Sequence, residues 1–383
     1  LASNANKHTA EELVSLQSLP LDIKIRKTEN RIREWYEYFD GDVYVSFSGG
    51  KDSTVLLDIA RRLYPDIEAV YCDTGLEYPE IKEFIKTFPN TTIIHPKYSF
   101  KEIINKYGYP LVSKEVGNVI DGARAFMTKH ITGSKHVDNA VEQFEQFIMN
   151  NIPEYLDRGG WSAQRLYPPK LVDSMINMKV AKVAGVLTKD NRVARNIPKG
   201  NKSGFSQAKW RFLLDADFKI SDKCCYHMKK APMSKYEKQS GKKPIIATMT
   251  EDSLLRRSVW LKVGCNAFDG KRKMSKPMSF WTEQDVLRYI DEHDINYCSV
   301  YGDLIKNNGE YSFSGCKRTG CVFCGFGCHL EPPPNRFKLL KESHPQLYNY
   351  CIGGGEYDED GWWHPSKNGL GMSHILDFIN VEY

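Results

Sequence analysis

Ser48-Gly49-Gly50-Lys51-Asp52-Ser53-Thr54 is the stretch whose reading decides the fold. Ahead of it, Val43-Tyr44-Val45-Ser46-Phe47 is a short apolar, β-branched run that reads as a buried strand. Behind it, Val55, Leu56, Leu57, Ile59, Ala60 and Leu63 recur at helical spacing. The unit is therefore strand, glycine turn, helix. Adjacent glycines allow backbone angles that a side chain forbids, so consecutive N–H groups can converge on an anion at the helix N-terminus, where the macrodipole favours negative charge. Ser48, Ser53 and Thr54 add hydroxyls, Lys51 adds a cation, and Ser46 and Phe47 close the strand beside them. The element suits phosphate, yet it is not G-x-x-x-x-G-K-[ST], which separates its glycines by four residues.

Moving outward, residues 8–40 read as a helix with Ile23, Ile25, Ile32, Trp35, Tyr36 and Phe39 as its packing face. Ile67 to Cys72 reads as a second strand, ending in Asp73-Thr74-Gly75. Pro79 to Phe88 fits a helix with proline in its first turn, Thr91 to His95 a third strand, and Ser99 the cap of a helix running to Tyr107. Another strand is expected at Lys243 to Met249, and Thr282 caps an amphipathic helix through Tyr289 and Ile290. Strands alternating with helices imply an α/β fold with a doubly wound parallel sheet, whose ligands sit beyond the carboxyl ends of the strands. Ser48 to Thr54 and Asp73-Thr74-Gly75 should then line one crevice. There Asp73 can meet a metal on the phosphates or a ribose hydroxyl, and Gly75 lets the backbone approach a ligand.

The chain has 383 residues, 41% of them hydrophobic and 26% charged, ordinary values for a globular protein. No apolar run approaches membrane-spanning length and Leu1 to Gln17 has no signal-peptide core, which points to a cytoplasmic protein without a membrane partner. Lys170 to Lys243 carries eighteen Lys and Arg against six Asp and Glu, while the rest of the chain is net acidic. A solvated basic face and a surface for an anionic partner both fit this excess. Trp161, Phe205, Trp210 and Phe212 are interleaved with these cations, as core residues or as stacking platforms for bases. The expected organisation is a helical segment at residues 1–40, a nucleotide-binding α/β domain at 41–115 and 220–315, a basic, mostly helical insertion at 116–219, and a Cys-rich region at 316–383.

Of ten cysteines, Cys316, Cys321, Cys324 and Cys328 lie within one Gly-rich stretch, and Cys224 and Cys225 are adjacent. Grouped thiols in a chain without a secretion signal argue for metal or redox chemistry over disulfides. Thiolates suit Zn²⁺ or an iron–sulfur cluster; six exceed the four a single centre needs, and adjacent cysteines seldom serve one tetrahedral zinc, which favours a cluster. Cys72, Cys265, Cys298 and Cys351 read as buried or incidental.

The Ser48 to Ser53 loop resembles the S-G-G-x-D-S loop of the ATP-pyrophosphatase (PP-loop, adenine nucleotide alpha hydrolase-like) superfamily. With Asp73-Thr74-Gly75 and Tyr78-Pro79-Glu80 it is similar to the phosphoadenosine phosphosulfate reductase-like branch. Cys224-Cys225 with Lys229 and Pro232 resembles the C-C-x-x-R-K-x-x-P segment of cluster-bearing reductases. Asp252-Ser253-x-x-Arg256 resembles their E-S-x-x-R, Phe280-Trp281-Thr282 with Asp285-Val286 their W-t-x-x-D-V helix, and Gly320-Cys321-x-x-Cys324 their G-C-x-x-C. The resemblance implies a [4Fe–4S] cluster near an adenine nucleotide, ATP or adenylylsulfate. The departures are specific. Met228 stands where the reductases have Arg, Ala247-Thr248-Met249 replaces their Gly-x-Arg, and the tail from Gly369 to Tyr383 holds no cysteine of the sulfur-attacking kind.

Relatives that keep both loop and cluster include tRNA thiolation enzymes and the ATP-pyrophosphatase component of DNA phosphorothioation. The resemblance therefore implies ATP cleavage to AMP and pyrophosphate coupled to sulfur transfer, with tRNA or DNA as acceptor along the basic stretch and a sulfur-donor or reductant protein as partner. Ser48, Gly49, Gly50, Lys51 and Ser53 would grip the pyrophosphate. Asp52 and Asp73 would orient the loop or a Mg²⁺, and Ser253 and Arg256 would meet the nucleotide. Two alternatives stand beside it: adenylylsulfate reduction with Cys351 or a spare thiol of the cluster group as nucleophile, and a non-catalytic zinc-containing nucleotide- or DNA-binding module.

Overall fold

A computed structural model describes residues 7–134, 136–151, 178–190, 197, 200–270 and 272–383. Trp161 and residues 170–177, 191–196 and 198–199 of the basic stretch lie outside the described residues. The chain divides into two compact units, one of residues 1–97 and 227–322, the other of 98–226 and 323–383.

The first unit is built on a six-stranded sheet: β1 (Val43–Ser46), β2 (Ala69–Cys72), β3 (Thr91–Ile94), β4 (Lys243–Ile246), β5 (Asn266–Ala267) and β6 (Met274–Ser275), in the order β3-β2-β1-β4-β6-β5. All neighbours are parallel except β5 and β6, so the sheet is the expected α/β arrangement with one short antiparallel edge. Val43, Tyr44 and Val45 are all buried, as a central parallel strand covered on both faces requires. The Lys51–Leu63 helix follows and buries Val55, Leu56, Leu57, Ile59 and Ala60.

The single helix expected over residues 8–40 is two helices, Ala10–Gln17 and Leu21–Tyr38, separated at Pro20. Proline lacks the N–H that would continue the first helix and disfavours a helical residue before it. The buried face of the second helix also differs from the apolar reading. It is Leu21, Lys24, Thr28, Ile32 and Trp35, with Ile23 and Ile25 only partly buried. Two polar residues enter this core because partners wait for them. Lys24 Nζ lies 2.6 Å from Asp285 Oδ2, and Thr28 Oγ1 accepts the indole N–H of Trp281 at 2.8 Å. Asp285 belongs to the Glu283–Glu292 helix, whose capping box it forms with Thr282, as the sequence suggested.

The second unit is mostly helical among its described residues. It contains Phe100–Tyr107, capped by Ser99 as expected, then Lys114–Met127, Ala140–Asn151, Met178–Ala184, Arg336–Ser343, Pro345–Ile352 and Met372–Phe378. Two short strand pairs complete it, Leu111–Val112 with Gly325–Phe326 and Glu356–Tyr357 with Trp363–His364. At its centre the Arg124 guanidinium donates to the carbonyls of Phe218 and Ala216, both at 2.6 Å, and of Leu213 at 2.9 Å. Burial pushes this guanidinium down to about 10, and the three carbonyls compensate by satisfying its donors.

Candidate nucleotide site

After β1, Phe47 turns into the core against Phe88, ring centroids 4.8 Å apart, so it offers only backbone to a ligand. Gly49 then adopts φ +69°, and a Cβ there would lie 2.9 Å from Ile81 Cγ2 and 3.0 Å from Ile85 Cγ1. Glycine is required by both conformation and space. Gly50 is tight as well, since a Cβ would meet Thr319 Oγ1 at 3.0 Å.

The loop hydroxyls hold the turn together. Ser53 Oγ donates to Gly50 O at 2.9 Å and accepts from Ser48 N–H at 3.2 Å, while Thr54 Oγ1 donates to Gly50 O at 3.1 Å. The backbone N–H of Lys51 donates to Tyr301 Oη at 3.0 Å, and that phenol lies 2.9 Å from Thr319 Oγ1. Lys51 is buried, its ammonium 3.2 Å from Glu283 Oε1 and 3.6 Å from Asp52 Oδ1. Burial opposes its charge, but Asp52, Tyr301 and Glu283 outweigh this and hold the ammonium above its ordinary value. Burial pushes the Asp52 carboxyl up, against the pull of Lys51 and with the help of Asp252 and Glu283. Its Oδ1 is buried without a hydrogen bond, and the Lys51 ammonium at 3.6 Å is the cation beside it.

Beyond β2, Asp73 Oδ1 accepts from Gly75 N–H and from Lys82 Nζ, both at 2.9 Å. Burial raises this carboxyl, but the two donors and the Lys82 charge hold it below its ordinary value. Thr74 Oγ1 donates to Glu77 Oε1 at 2.6 Å, and Gly75, at φ +75°, faces open space where backbone can approach a ligand. Beyond β4, Ser253 caps the Leu254–Val263 helix by accepting Arg256 N–H at 3.2 Å. The Arg256 guanidinium pairs with Asp252, which also holds Arg318 at 3.2 Å.

Lys51 and Asp52 are thus drawn together with Glu283, Tyr301, Thr319 and Asp252, all in the first unit. Of these, Glu283, Tyr301 and Thr319 escape sequence reading. Only Glu283 carries a signal, through its place just inside the Thr282 cap. A cavity of about 790 Å³ lies apart from this loop, between the Ala10–Gln17 and Leu21–Tyr38 helices and the Leu254–Val263 helix, where His8, Arg31 and Trp260 line it. It contains none of the loop residues, and the chemistry of the loop outweighs cavity size as a guide to the site.

The cysteines fall in both units. In the second, Cys324 and Cys328 are raised chiefly by burial, Cys328 to about 11; Cys225 further opposes ionisation of Cys324, and Cys324 that of Cys328, while Arg336 pulls both down. Cys224 is buried in the same unit. In the first unit, Cys316 Sγ donates to Arg318 O at 2.9 Å and Cys321 is half-buried. Among the described residues no group of three or more His, Cys, Asp or Glu is arranged to hold a metal ion. The donor chemistry nonetheless suits a soft metal, since thiols that suppress one another's ionisation gain most when a cation replaces their protons. Cys351 is fully buried and burial pushes its thiol far up, so it does not present a nucleophilic thiolate. In the basic segment, Phe205 is 60% exposed with Lys182 Nζ 5.3 Å from its ring centroid, and Lys209 Nζ lies 5.3 Å from the Trp210 ring; Phe212 is partly exposed beside Phe378.

A parallel α/β sheet with an amide-lined glycine turn after its first strand defines a nucleotide-binding protein of the PP-loop class. The profile of the phosphoadenosine phosphosulfate reductase domain matches residues 42–113 and 177–325, and the chain belongs to that family of enzymes. Among curated proteins it is similar to the uncharacterized proteins MJ0973 and MJ0066 of Methanocaldococcus jannaschii. The first is 34% identical over 93 residues, 22% of each chain; the second is 36% identical over 90 residues, 21% of this chain and 18% of the other. The chain thus spans about a fifth of the length of these relatives. Among solved structures, phosphoadenylyl-sulfate (PAPS) reductase from Candida auris in a phosphate complex aligns with 80% of this chain and 100% of its own, at 11% identity and a TM-score of 0.33.

Proposed function

We propose that the chain binds ATP at the Ser48–Thr54 loop, releases pyrophosphate from it and couples this to sulfur transfer onto a nucleic acid. The observation that carries the reading is the glycine turn itself. Gly49 is held at positive φ where no Cβ fits, directly ahead of a helix whose first residue, Lys51, brings a buried ammonium to the same place. An acceptor oxygen attacks the α-phosphorus, the bond to the β-phosphoryl oxygen breaks, and pyrophosphate leaves. A hydrosulfide-level donor then displaces AMP and leaves sulfur where oxygen was. The loop N–H groups and Lys51 stabilise the charge that builds on the departing pyrophosphate. Asp52, whose Oδ1 makes no hydrogen bond and has the Lys51 ammonium at 3.6 Å, and Asp73 would orient a Mg²⁺. A [4Fe–4S] cluster on Cys224, Cys225, Cys324 and Cys328, all in the second unit, would supply a sulfur-binding or electron-relaying centre.

The acceptor reading is supported by the cationic excess of the basic stretch and by Phe205 and Trp210 beneath lysines. The burial of Cys351 speaks against that thiol as the nucleophile of the reductase alternative. Incubation of the full chain with ATP and tRNA or DNA should release AMP and pyrophosphate, and Lys51→Ala should abolish release. No release from protein with an intact cluster overturns the reading, and sulfite from adenylylsulfate instead would establish reduction.

A further inference from the structure

Ala208–Asp215, in the second unit, is a 3₁₀ helix, a form with three residues per turn in which side chains at i and i+3 eclipse. Lys209 and Phe212 share its outer face and are exposed, while Leu213 and Leu214 turn into the core. A second 3₁₀ turn of the same unit, Cys328–Leu330, meets this helix. Its first residue is buried and its last, Leu330, is 77% exposed. Between them the His329 ring stands edge-on to Trp210, centroids 5.0 Å apart. Trp210 in turn lies 5.9 Å from Phe212, which Phe378 backs at 5.9 Å with the rings 24° from parallel. Trp210, Phe212, His329 and Leu330 thus form one apolar strip that reaches solvent at Phe212 and at Leu330.

Single exposed apolar residues are ordinary, but residues joined into a strip mark a binding surface. Charge decides what covers it. Lys209 Nζ lies 5.3 Å from the Trp210 ring centroid. After burial, the same ammonium is what pushes the His329 imidazole below its ordinary value, so it sits near both rings. Lys209 has no ion-pair partner among the described residues, whereas Arg211 is committed to Glu145 and to the carbonyls of Val183 and Ala184. The stretch that contributes Lys209, Trp210 and Phe212 carries eighteen Lys and Arg against six Asp and Glu. The core of a protein–protein interface is depleted of lysine. A nucleic-acid strand instead alternates a π-face with a phosphate, which matches an aromatic strip beneath a free ammonium.

We propose that Trp210, Phe212, His329 and Leu330 form a stacking platform for unpaired bases of a nucleic-acid strand, with Lys209 on a phosphate of that strand. The inference deepens the acceptor reading above and rests on it for the strand's role as substrate. A duplex hides its base faces, so the platform selects single-stranded or looped segments of the acceptor. Such a strand runs along the outside of the turn whose inner residue is Cys328, one of the thiols assigned to the cluster.

Fluorescence anisotropy on the full chain tests the platform, with labelled oligothymidylate and oligouridylate of about twelve nucleotides and hairpin duplexes of equal length as probes. Phe212→Ala should weaken strand binding by about tenfold, Leu330→Ser should weaken it as well, and Phe212→Tyr should bind as wild type does. Duplex affinity should stay unchanged in all three. Lys209→Gln should lower the slope of log affinity against log salt for the strand by about 0.7, the share of one phosphate contact. Strand affinity that is unchanged in Phe212→Ala and Leu330→Ser proteins of normal melting temperature overturns the platform, and so does an equal loss for strand and duplex. If ATP is not cleaved while strand binding still senses Phe212, the cleavage reading falls and the platform stands. If nucleic acid stimulates AMP release while strand binding is blind to both variants, the cleavage reading stands and the platform falls.

Discussion

Gly49 shows how much rests on a missing methyl group. A Cβ at this position would be strained by φ +69° and pressed against Ile81 and Ile85, both buried. Gly49→Ala is expected to cost about 2–3 kcal/mol in urea unfolding, part from the left-handed backbone and part from overpacking. Adding Ile85→Val, which removes the Cδ1 that lies 3.1 Å from that Cβ, should recover some of the second part and none of the first, and full recovery would show that the backbone is unstrained. The same turn was legible in the sequence because its requirement is local: adjacent glycines between a β-branched run and a helical one. Tyr301 was not legible. It reaches Lys51 N–H from 250 positions away, and no local pattern announces a phenol brought in by the Ser299–Tyr301 turn. An oxyanion that takes this amide must displace the Tyr301 hydroxyl, so Tyr301→Phe should change nucleotide affinity in calorimetry. An unchanged affinity would place the ligand on other amides.

Between elements, polar side chains decide which helix sits where. Lys24, 2% exposed, meets Asp285 across two helices. Asp285→Asn leaves a buried ammonium without its counter-charge and should cost about 3–5 kcal/mol. Lys24→Met added to it should recover most of that loss, and no recovery would mean that the cost lies in the cap with Thr282. Glu68 knits three elements. It accepts from Thr92 on β3 at 2.5 Å, from Tyr236 on the Ala231–Ser240 helix at 2.6 Å, and from Lys242 ahead of β4 at 2.7 Å. Burial raises this carboxyl, but the bonds from Lys242, Thr92 and Tyr236 outweigh it and lower it from the ordinary 4.5. A depressed acid stabilises the fold above its unfolded value and loses that contribution as pH falls through its folded value. Glu68→Gln should therefore flatten the loss of melting temperature below about pH 4.5, and an unchanged acid limb would remove Glu68 as a contributor. Element types and caps were readable from apolar spacing and from Ser99 and Thr282, whereas the Thr9 cap of the first helix was not read. The break at Pro20 and the polar core face were not, because a periodicity reading weighs apolar residues and is blind to a lysine whose partner lies 261 positions on.

At the scale of the whole molecule, no helix among the described residues is long and apolar enough to cross a membrane. Anaerobically purified protein should carry iron and acid-labile sulfide, and Cys324→Ser should bleach its visible absorbance. One zinc without iron would assign the thiols to a structural ion instead. Each compact unit is assembled from two separated lengths of chain, and β1 is flanked by β2, which follows within thirty residues, and by β4, which arrives some two hundred residues later. During synthesis the ribosome therefore delivers the glycine turn long before the strand that completes its sheet. A nascent chain halted ahead of Lys243 would expose one side of β1 as an open edge, a place for chaperones to act and for self-association to begin.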